Sequence, residues 1–410
     1  MKRAVCLCFV LGSLCLTTSA QHAGAFKGSL DDPAIAYSTR SPDNVVVDAN
    51  AKLQDGRVRF GFDERTGFLQ SALNALNIAV DSQLLVFSRG SLQGRRIGSQ
   101  NPRAIFFNDR VALGWVRGGD VIEVAAHDVN AGVVFYTLDQ RDSVAPPQFK
   151  RRFECLGCHV TGDTLGVPGL LMFSTSRAEP GRFDGVPHHI DQSDPIEQRF
   201  GGWFVTGRLG TARHMGNDVA ALDGRSTRDL ASVEGLFDTD GYRSTSSDVV
   251  AHLVLTHQAG MTNLLTRAAF EARMAEASLR GPVTQEQTEA ITVLMEDIAR
   301  EVVDHMLFVD EAKLPAGIHG ASGFAERFSK SGPRDRKGRS LYELDLTRRL
   351  MKYPCSYMIY SAAFDALPPI VKTPIYRRML NVLAGTGRSD SQSIVEILRD
   401  TKGDLPSYSR

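Results

Sequence analysis

The chain has 410 residues, of which 42% are hydrophobic, and its 47 basic and 47 acidic residues give a formal net charge of zero. Ordinary apolar content at this length predicts a globular protein of two or three domains, or one large domain with subdomains. A balanced charge argues against nucleic acid or an anionic membrane surface as the partner. We therefore expect a folded globular protein with no nucleic-acid partner.

The N terminus carries the pattern of an export signal. Lys2 and Arg3 form a short positive region, residues 5–16 form an apolar core, and residues 18–20 are a small-residue cleavage site, with residues 23–25 as the second choice. This apolar stretch is shorter than the roughly 20 residues of a transmembrane helix, and no later stretch is long enough. We expect a signal peptide over residues 1–20, no membrane span, and a periplasmic or secreted mature protein.

Residues 30–150 are expected to form an α+β region. Apolar residues recur at helical spacing over 67–77, which predicts a helix there. Short apolar runs follow, separated by glycine, asparagine and aspartate turn signals. These runs are residues 84–88, 104–108, 111–116, 121–125 and 133–138. Repeated short strands with such turns are typical of an antiparallel sheet.

Cys155, Cys158 and His159 follow this region in the pattern C-x-x-C-H, which is the attachment signature of c-type haem. The two residues between the cysteines match the separation of the porphyrin vinyl groups, and the next residue then lies under the iron. The thiols form thioethers in such proteins, and the histidine supplies the proximal nitrogen ligand. The motif predicts one covalently attached haem c.

Two other interpretations of these cysteines stay open, a redox dithiol and a zinc site. A redox dithiol opens a helix directly after a strand, whereas the glycines and proline of residues 160–169 predict a loop. A zinc site needs a fourth ligand, commonly from a second cysteine pair or paired histidines, and none is obvious. Cys6, Cys8 and Cys15 leave with the signal. Cys355 lies in an apolar segment, where a buried, inert thiol is expected.

The chain beyond the motif divides into two regions by composition. Residues 151–245 are rich in glycine and poor in periodic runs, which predicts a loop-rich segment wrapping the haem. Residues 246–405 have helical periodicity and are expected to complete the haem pocket. The helices are expected over residues 247–279, 284–310, 341–352, 356–366, 369–384 and 390–401.

The sixth ligand of the iron is an open question. His257 lies on the apolar face of the helix expected over 247–279, although a histidine in that position is ordinarily a core residue. His214 and Met215 lie together in a glycine-flanked loop and offer both common ligand types. An iron without a sixth protein ligand is a further alternative.

Three arginines near the motif are candidate partners of the haem propionates or of a distal anion. They are Arg199, Arg208 and Arg213. Solvated loop arginines are the alternative interpretation.

Several segments resemble those of a group of exported bacterial c-type cytochrome-like proteins with a single C-x-x-C-H motif. These segments are residues 101–109, 155–159, 199–207, 213–217 and 255–258. The resemblance extends over about residues 35–385 and implies haem c and export, but no reaction or substrate. Only Cys155, Cys158 and His159 take a defined role from it.

Electron transfer is the function that the sequence favours, with a six-coordinate haem cycling between Fe(II) and Fe(III). That function requires a redox partner protein, which the large chain would dock. The alternatives are a haem-dependent oxidoreductase or peroxidase-like enzyme with an open distal site, and a sensor of diatomic gases. The sequence identifies neither a small-molecule substrate nor a catalytic residue, and it lacks the second motif of a dihaem peroxidase.

Overall fold

The computed structural model describes residues 24–143, 146–175, 186–210, 212–217, 229–315, 317–385 and 389–406. The expected signal peptide lies outside these ranges. Within them the chain forms helices and an antiparallel sheet, so the expected α+β class is confirmed. None of the described helices has the length and the apolar run that a bilayer crossing needs.

The N-terminal elements lead into the motif, which itself forms a short helix. In chain order they are α1 (Val45–Gln54), α2 (Leu69–Ala75), β1 (Leu84–Val86), β2 (Arg103–Phe107), β3 (Val111–Trp115), β4 (Val121–Asp128), β5 (Gly132–Asp139), β6 (Phe149–Arg151) and α3 (Leu156–His159). The later elements are β7 (Phe173–Thr175), β8 (Pro187–His189), β9 (Trp203–Phe204), α4 (Val249–Leu279), α5 (Gln285–Met306), α6 (Phe324–Lys330), α7 (Ala362–Asp365), α8 (Pro369–Gly385) and α9 (Ser389–Thr401).

The main antiparallel sheet has the strand order β6-β5-β4-β3-β2-β1-β9. Because side chains alternate along a strand, each strand presents two different faces. In β4, Ile122, Val124 and Ala126 are buried and belong to the core that α1 and α2 complete. The opposite face, called here the half-buried face, carries Arg103, Ile105, Ala112, Gly114, Glu123, Ala125, His127 and Phe135.

Helix α4 joins the second core to the sheet. It begins at the N-cap Asp248, whose Oδ1 accepts hydrogen bonds from the N–H groups of Val250 and Ala251 at 2.8 and 3.2 Å. Most of its side chains are buried in the helical part of the molecule. The amide of Gln258 donates to the carbonyl of Asn108, after β2, at 2.7 Å. This bond fixes the position of α4 along its axis relative to the sheet.

The apolar periodicity predicted most of the helices correctly. Those expected over 247–279, 284–310, 369–384 and 390–401 are confirmed as α4, α5, α8 and α9, with ends shifted by a few residues. The region 356–366 forms a 3₁₀ turn followed by α7. Helix α1 was not expected from the sequence, because its first turn consists of three valines, which favour strands.

The prediction of a helix over 341–352 was wrong. These residues form turns closed by an isolated bridge between Leu344 and Met351. The side chain of Asp345 accepts a hydrogen bond from the N–H of Thr347 at 3.0 Å, and Leu346 has a left-handed φ of 57°. Local side-chain hydrogen bonds of this kind compete with the helical ladder.

Replacing Asp248 by alanine is expected to lower the free energy of unfolding by about 2–3 kcal/mol, from the lost cap and the unpaired groups it leaves. The side chain is fully buried, and its Oδ2 also accepts from the N–H and hydroxyl of Ser322 at 2.7 and 2.8 Å. Thr284→Ala, at the exposed cap of α5, is the control and should cost about 1 kcal/mol or less. Urea denaturation measures both, and equal losses would contradict the central role of the α4 cap.

Candidate haem-attachment site

The motif forms a single helical turn at the surface. Cys155 is the N-cap of α3, and its carbonyl accepts hydrogen bonds from the N–H groups of Cys158 and His159 at 3.1 and 3.0 Å. Residues three and four apart share one side of a helix, so both thiols and the imidazole project to a common side. Cys155 is half-buried, Cys158 is exposed, and neither forms a disulfide with a described residue. The motif has the spacing that the attachment signature of a c-type haem requires.

The thiol of Cys155 stays protonated at neutral pH. Burial, followed by the nearby carboxylates of Glu154 and Glu123, raises its pKa to about 11. A redox dithiol works through a nucleophilic thiolate, which requires a lowered pKa. The surroundings of Cys155 therefore disfavour dithiol chemistry and are compatible with a thiol consumed once in a covalent attachment.

The imidazole of His159 is oriented by one hydrogen bond. Its Nδ1 lies 2.9 Å from the carbonyl oxygen of Gly169, and a carbonyl only accepts, so Nδ1 carries the proton. The ring packs on Phe135 with centroids 4.5 Å apart. Burial lowers the pKa of His159, and the Gly169 carbonyl partly opposes that shift. The result is a neutral imidazole whose Nε2 lone pair is directed away from Gly169, as in histidines that bind metals.

Arg103 and Glu123 border the site on the half-buried face of the sheet. Their ion pair measures 2.7 Å, with both side chains about four-fifths buried, at 19% and 18% exposure. It lies across Gly114, where an added Cβ would be 3.5 Å from Arg103 Cδ. Glu123 raises the pKa of Cys155 and of His159, so the pair acts electrostatically on the motif. No described residue accepts a hydrogen bond from the buried Nε of Arg103.

The chain approaches α3 through a stack of aromatic and cationic groups. The guanidinium of Arg151 lies 4.8 Å from the ring centroid of Tyr37 and 4.6 Å from that of Phe153. Such contacts hold the backbone just before the motif in place. Phe153 is nevertheless 43% exposed, which leaves an apolar surface next to the two cysteines.

The residues around α3 have the chemistry that a c-type haem requires of its protein. The donor set consists of two thiols and one oriented nitrogen on a single turn. Small side chains at Ala112, Gly114 and Ala125 leave room on the half-buried face. The Nε of Arg103 is a buried donor without a partner among the described residues. Sequence reasoning missed Arg103 and Glu123, and the only signals for them were the polar positions within two apolar strands.

His257 is enclosed in the helical core. It is 1% exposed, its Nδ1 lies 2.6 Å from Gln192 Oε1, and its Nε2 lies 2.7 Å from Ser356 Oγ. The ring also stacks on Phe308, with centroids 4.3 Å apart. Both nitrogens are thus engaged, and the side chain has the satisfied environment of a core histidine.

His214 and Met215 lie in another part of the core. His214 is 1% exposed, and its Nδ1 accepts from the N–H of Gly216 at 3.0 Å. The sulfur of Met215 accepts from the hydroxyl of Ser174 at 3.7 Å. Both are engaged within the protein.

The contacts of α4 show how far His214 and Met215 lie from the motif. His214 contacts Phe200, which contacts His252 near the start of α4. The loop that holds His159 meets α4 at Asn263, about 16 Å farther along the axis at 1.5 Å per residue. The structure therefore does not bring His214 and Met215 next to His159.

The predicted propionate partners differ in exposure. Arg199 is 3% exposed and donates to the carbonyls of Asp194 and Gln192 at 2.8 and 2.9 Å. Arg208 and Arg213 are exposed. Arg199 is therefore a structural group of the core.

A separate cavity of about 460 Å³ lies behind the loop that follows the motif. Asp163 and Leu165 line it from this loop, Asp191 lines it from the loop after β8, and Asn263 and His305 line it from α4 and α5. No described residue forms a hydrogen bond with the buried Nε2 of His305. The volume suits a small ligand, since such pockets measure about 300–1,000 Å³.

Comparisons of the chain with protein-family models, curated proteins and solved structures find no match. In the described ranges, no three or more histidine, cysteine, aspartate or glutamate side chains are grouped to hold a metal ion. A haem iron differs from such a site because the porphyrin supplies four of its ligands. The case for a haem therefore depends on the geometry of α3 and its surroundings.

The stability of the protein is expected to fall as the pH is lowered from 7 to 5. Burial lowers the pKa of His252 to about 3, far below the unfolded value near 6.5, so the unfolded chain binds a proton that the folded chain excludes. His252→Leu removes this proton uptake because leucine does not titrate, and no hydrogen bond to a described residue is lost with the ring. Between pH 7 and pH 5, the free energy of unfolding of His252→Leu should therefore fall by about 2 kcal/mol less than that of the wild type.

Urea denaturation at the two pH values measures this difference. The control His319→Leu, at an exposed position, should follow the wild type. A His252→Leu protein with the wild-type pH dependence would show that the imidazole is not held neutral in the fold.

Proposed function

We propose that this protein is an exported monohaem c-type cytochrome that transfers electrons. The observation that carries the proposal is α3, which presents Cys155, Cys158 and an oriented His159 from one turn. The cysteines would hold the porphyrin through thioethers, and His159 would be the proximal ligand. The bound haem supplies one-electron chemistry between Fe(II) and Fe(III).

Exposure of the turn supports electron transfer. Cys158 is exposed, and Phe153 beside it is 43% exposed, so a partner protein can approach this part of the molecule closely. The bond from His159 Nδ1 to the Gly169 carbonyl increases the electron density on Nε2 and fixes the ring. Residues of the fold therefore set the orientation and basicity of the proximal nitrogen.

A small-molecule oxidoreductase with an open distal site is the second candidate. Two observations favour it. His257 has both ring nitrogens hydrogen-bonded in the core, and the 460 Å³ cavity shares its lining with the loop that follows His159. An iron without a sixth protein ligand can bind a small molecule directly.

Cys155→Ala and Cys158→Ala are each expected to disrupt covalent haem attachment, and the double variant to abolish it. His159→Ala should retain the thioethers and lose the proximal nitrogen. The measurement is a haem stain after denaturing electrophoresis, with a reduced optical spectrum, on protein exported together with haem-attachment machinery. Cys355→Ala is the control, because that thiol is fully buried. A folded wild-type protein without haem under these conditions would contradict the proposal.

His257→Gln and His214→Gln are expected to leave the reduced optical spectrum of the haem-loaded protein unchanged, because both rings are engaged in the core. The spectra are compared with that of the wild type, with and without carbon monoxide. Loss of the low-spin bands in either variant would identify that residue as the sixth ligand. A wild-type spectrum indifferent to carbon monoxide supports electron transfer, and one that shifts supports the second candidate.

A further inference from the structure

The loop between β1 and β2 forms a basic cavity at the surface. The cavity measures about 680 Å³, and its lining includes Arg89, Leu92, Arg95, Arg96 and Asp120. Arg96 is paired with Asp120 at 3.0 Å. Arg89 and Arg95 are exposed and form no ion pair with any residue that the structure describes. Three arginines therefore face one carboxylate, and two of the arginines are available to a partner.

The backbone that carries these arginines is anchored to the sheet. The buried side chain of Gln93 accepts from the N–H of Asp120 at 2.8 Å and donates to the carbonyl of Val121 at 3.0 Å. The loop also contains two tight turns. The N–H of Gly94 donates to the carbonyl of Ser91, and that of Arg96 donates to the carbonyl of Gln93. A loop held in this way presents its charges at fixed positions, which lowers the entropic cost of binding.

A short series of contacts links the basic cavity to the motif. Ser91, in the cavity lining, donates to Glu123 Oε1 at 2.8 Å. The other oxygen of Glu123 pairs with Arg103 at 2.7 Å. Glu123 lies two residues along β4 from Ala125, whose strand partner Phe135 packs on the His159 ring with centroids 4.5 Å apart. The cavity is therefore adjacent to the part of the sheet that borders the proposed haem.

The surface has the composition of a protein-docking site. Leu92 is 58% exposed between the arginines, so an apolar residue is flanked by cationic groups. Arginine binds carboxylates through paired hydrogen bonds, and complementary charge accelerates and orients encounter between proteins. Because the whole chain has no net charge, a local patch determines which surface a charged partner meets first.

We propose that the surface formed by Arg89, Leu92 and Arg95 docks the acidic face of an electron-transfer partner beside the haem. This inference rests on the proposed function, since it concerns the route of electrons to and from that haem. It assigns the partner by chemistry, as a protein surface rich in aspartate and glutamate.

The test is the oxidation of the reduced, haem-loaded protein in a stopped-flow instrument, with two oxidants of opposite charge. Hexacyanoferrate(III) is the anion and tris(phenanthroline)cobalt(III) is the cation. In the Arg89→Glu/Arg95→Glu variant at low ionic strength, the rate with the anion should fall by about fivefold or more and the rate with the cation should rise. Both differences should disappear at about 0.5 M salt.

The control variant is Arg280→Glu/Arg399→Glu, which makes the same charge change at exposed positions of the helical part. Its rates should remain close to those of the wild type. Equal effects in the two double variants, or none in the first, would overturn the docking surface while leaving the haem in place. A chain without covalent haem would overturn the proposed function itself, and with it this inference.

Calorimetric titration with poly-L-glutamate and with citrate distinguishes a protein partner from a small anion. Poly-L-glutamate should bind the wild type and lose at least tenfold in affinity for Arg89→Glu/Arg95→Glu. Binding of citrate alone, lost in the same variant, would assign the cavity to a small carboxylate and overturn the protein partner.

Discussion

The side chain of Asn263 holds the loop on which the candidate site depends. Its Oδ1 accepts from the N–H of Leu170 at 2.8 Å, and its Nδ2 donates to the carbonyl of the same residue at 2.9 Å. The neighbouring Gly169 contributes the carbonyl that orients His159. A side chain at Gly169 would collide with Asn263 and Thr164. The amide of Asn263 thereby holds the loop whose Gly169 carbonyl determines which nitrogen of His159 carries the proton.

The charges around the motif have a consistent effect. Burial keeps the Cys155 thiol and the His159 imidazole neutral, and the ionised groups nearby are already paired, as Arg103 is with Glu123. Burying neutral or paired groups against an apolar ring system costs less free energy than burying an isolated charge. The local electrostatics therefore suit a large apolar cofactor better than an ion or a reactive thiolate.

The sequence predicted most of the elements because they depend on short-range patterns, and the haem motif was visible in it for the same reason. The motif spacing is local, and so is the apolar periodicity that located α4 and α5. The wrong prediction of a helix over 341–352 also has a local cause, because a turn around Asp345 and Leu346 replaces it.

The surroundings of the site were less predictable, because they depend on tertiary contacts. Arg103 and Glu123 are 20 residues apart and meet only through the strand register. The partners of His257 are 65 and 99 residues away, so spacing alone presented it as a ligand. The positions of such partners follow from the packing of the whole chain.

The three described cysteines differ in their access to solvent. Cys355 is fully buried, and burial raises the pKa of its thiol to about 12, whereas Cys158 is exposed on the surface turn. Among these three, an external oxidant or alkylating reagent therefore meets the motif thiols first once the chain has folded. The fold thereby separates the reactivity of the motif from that of Cys355, and mispaired disulfides between them require unfolding.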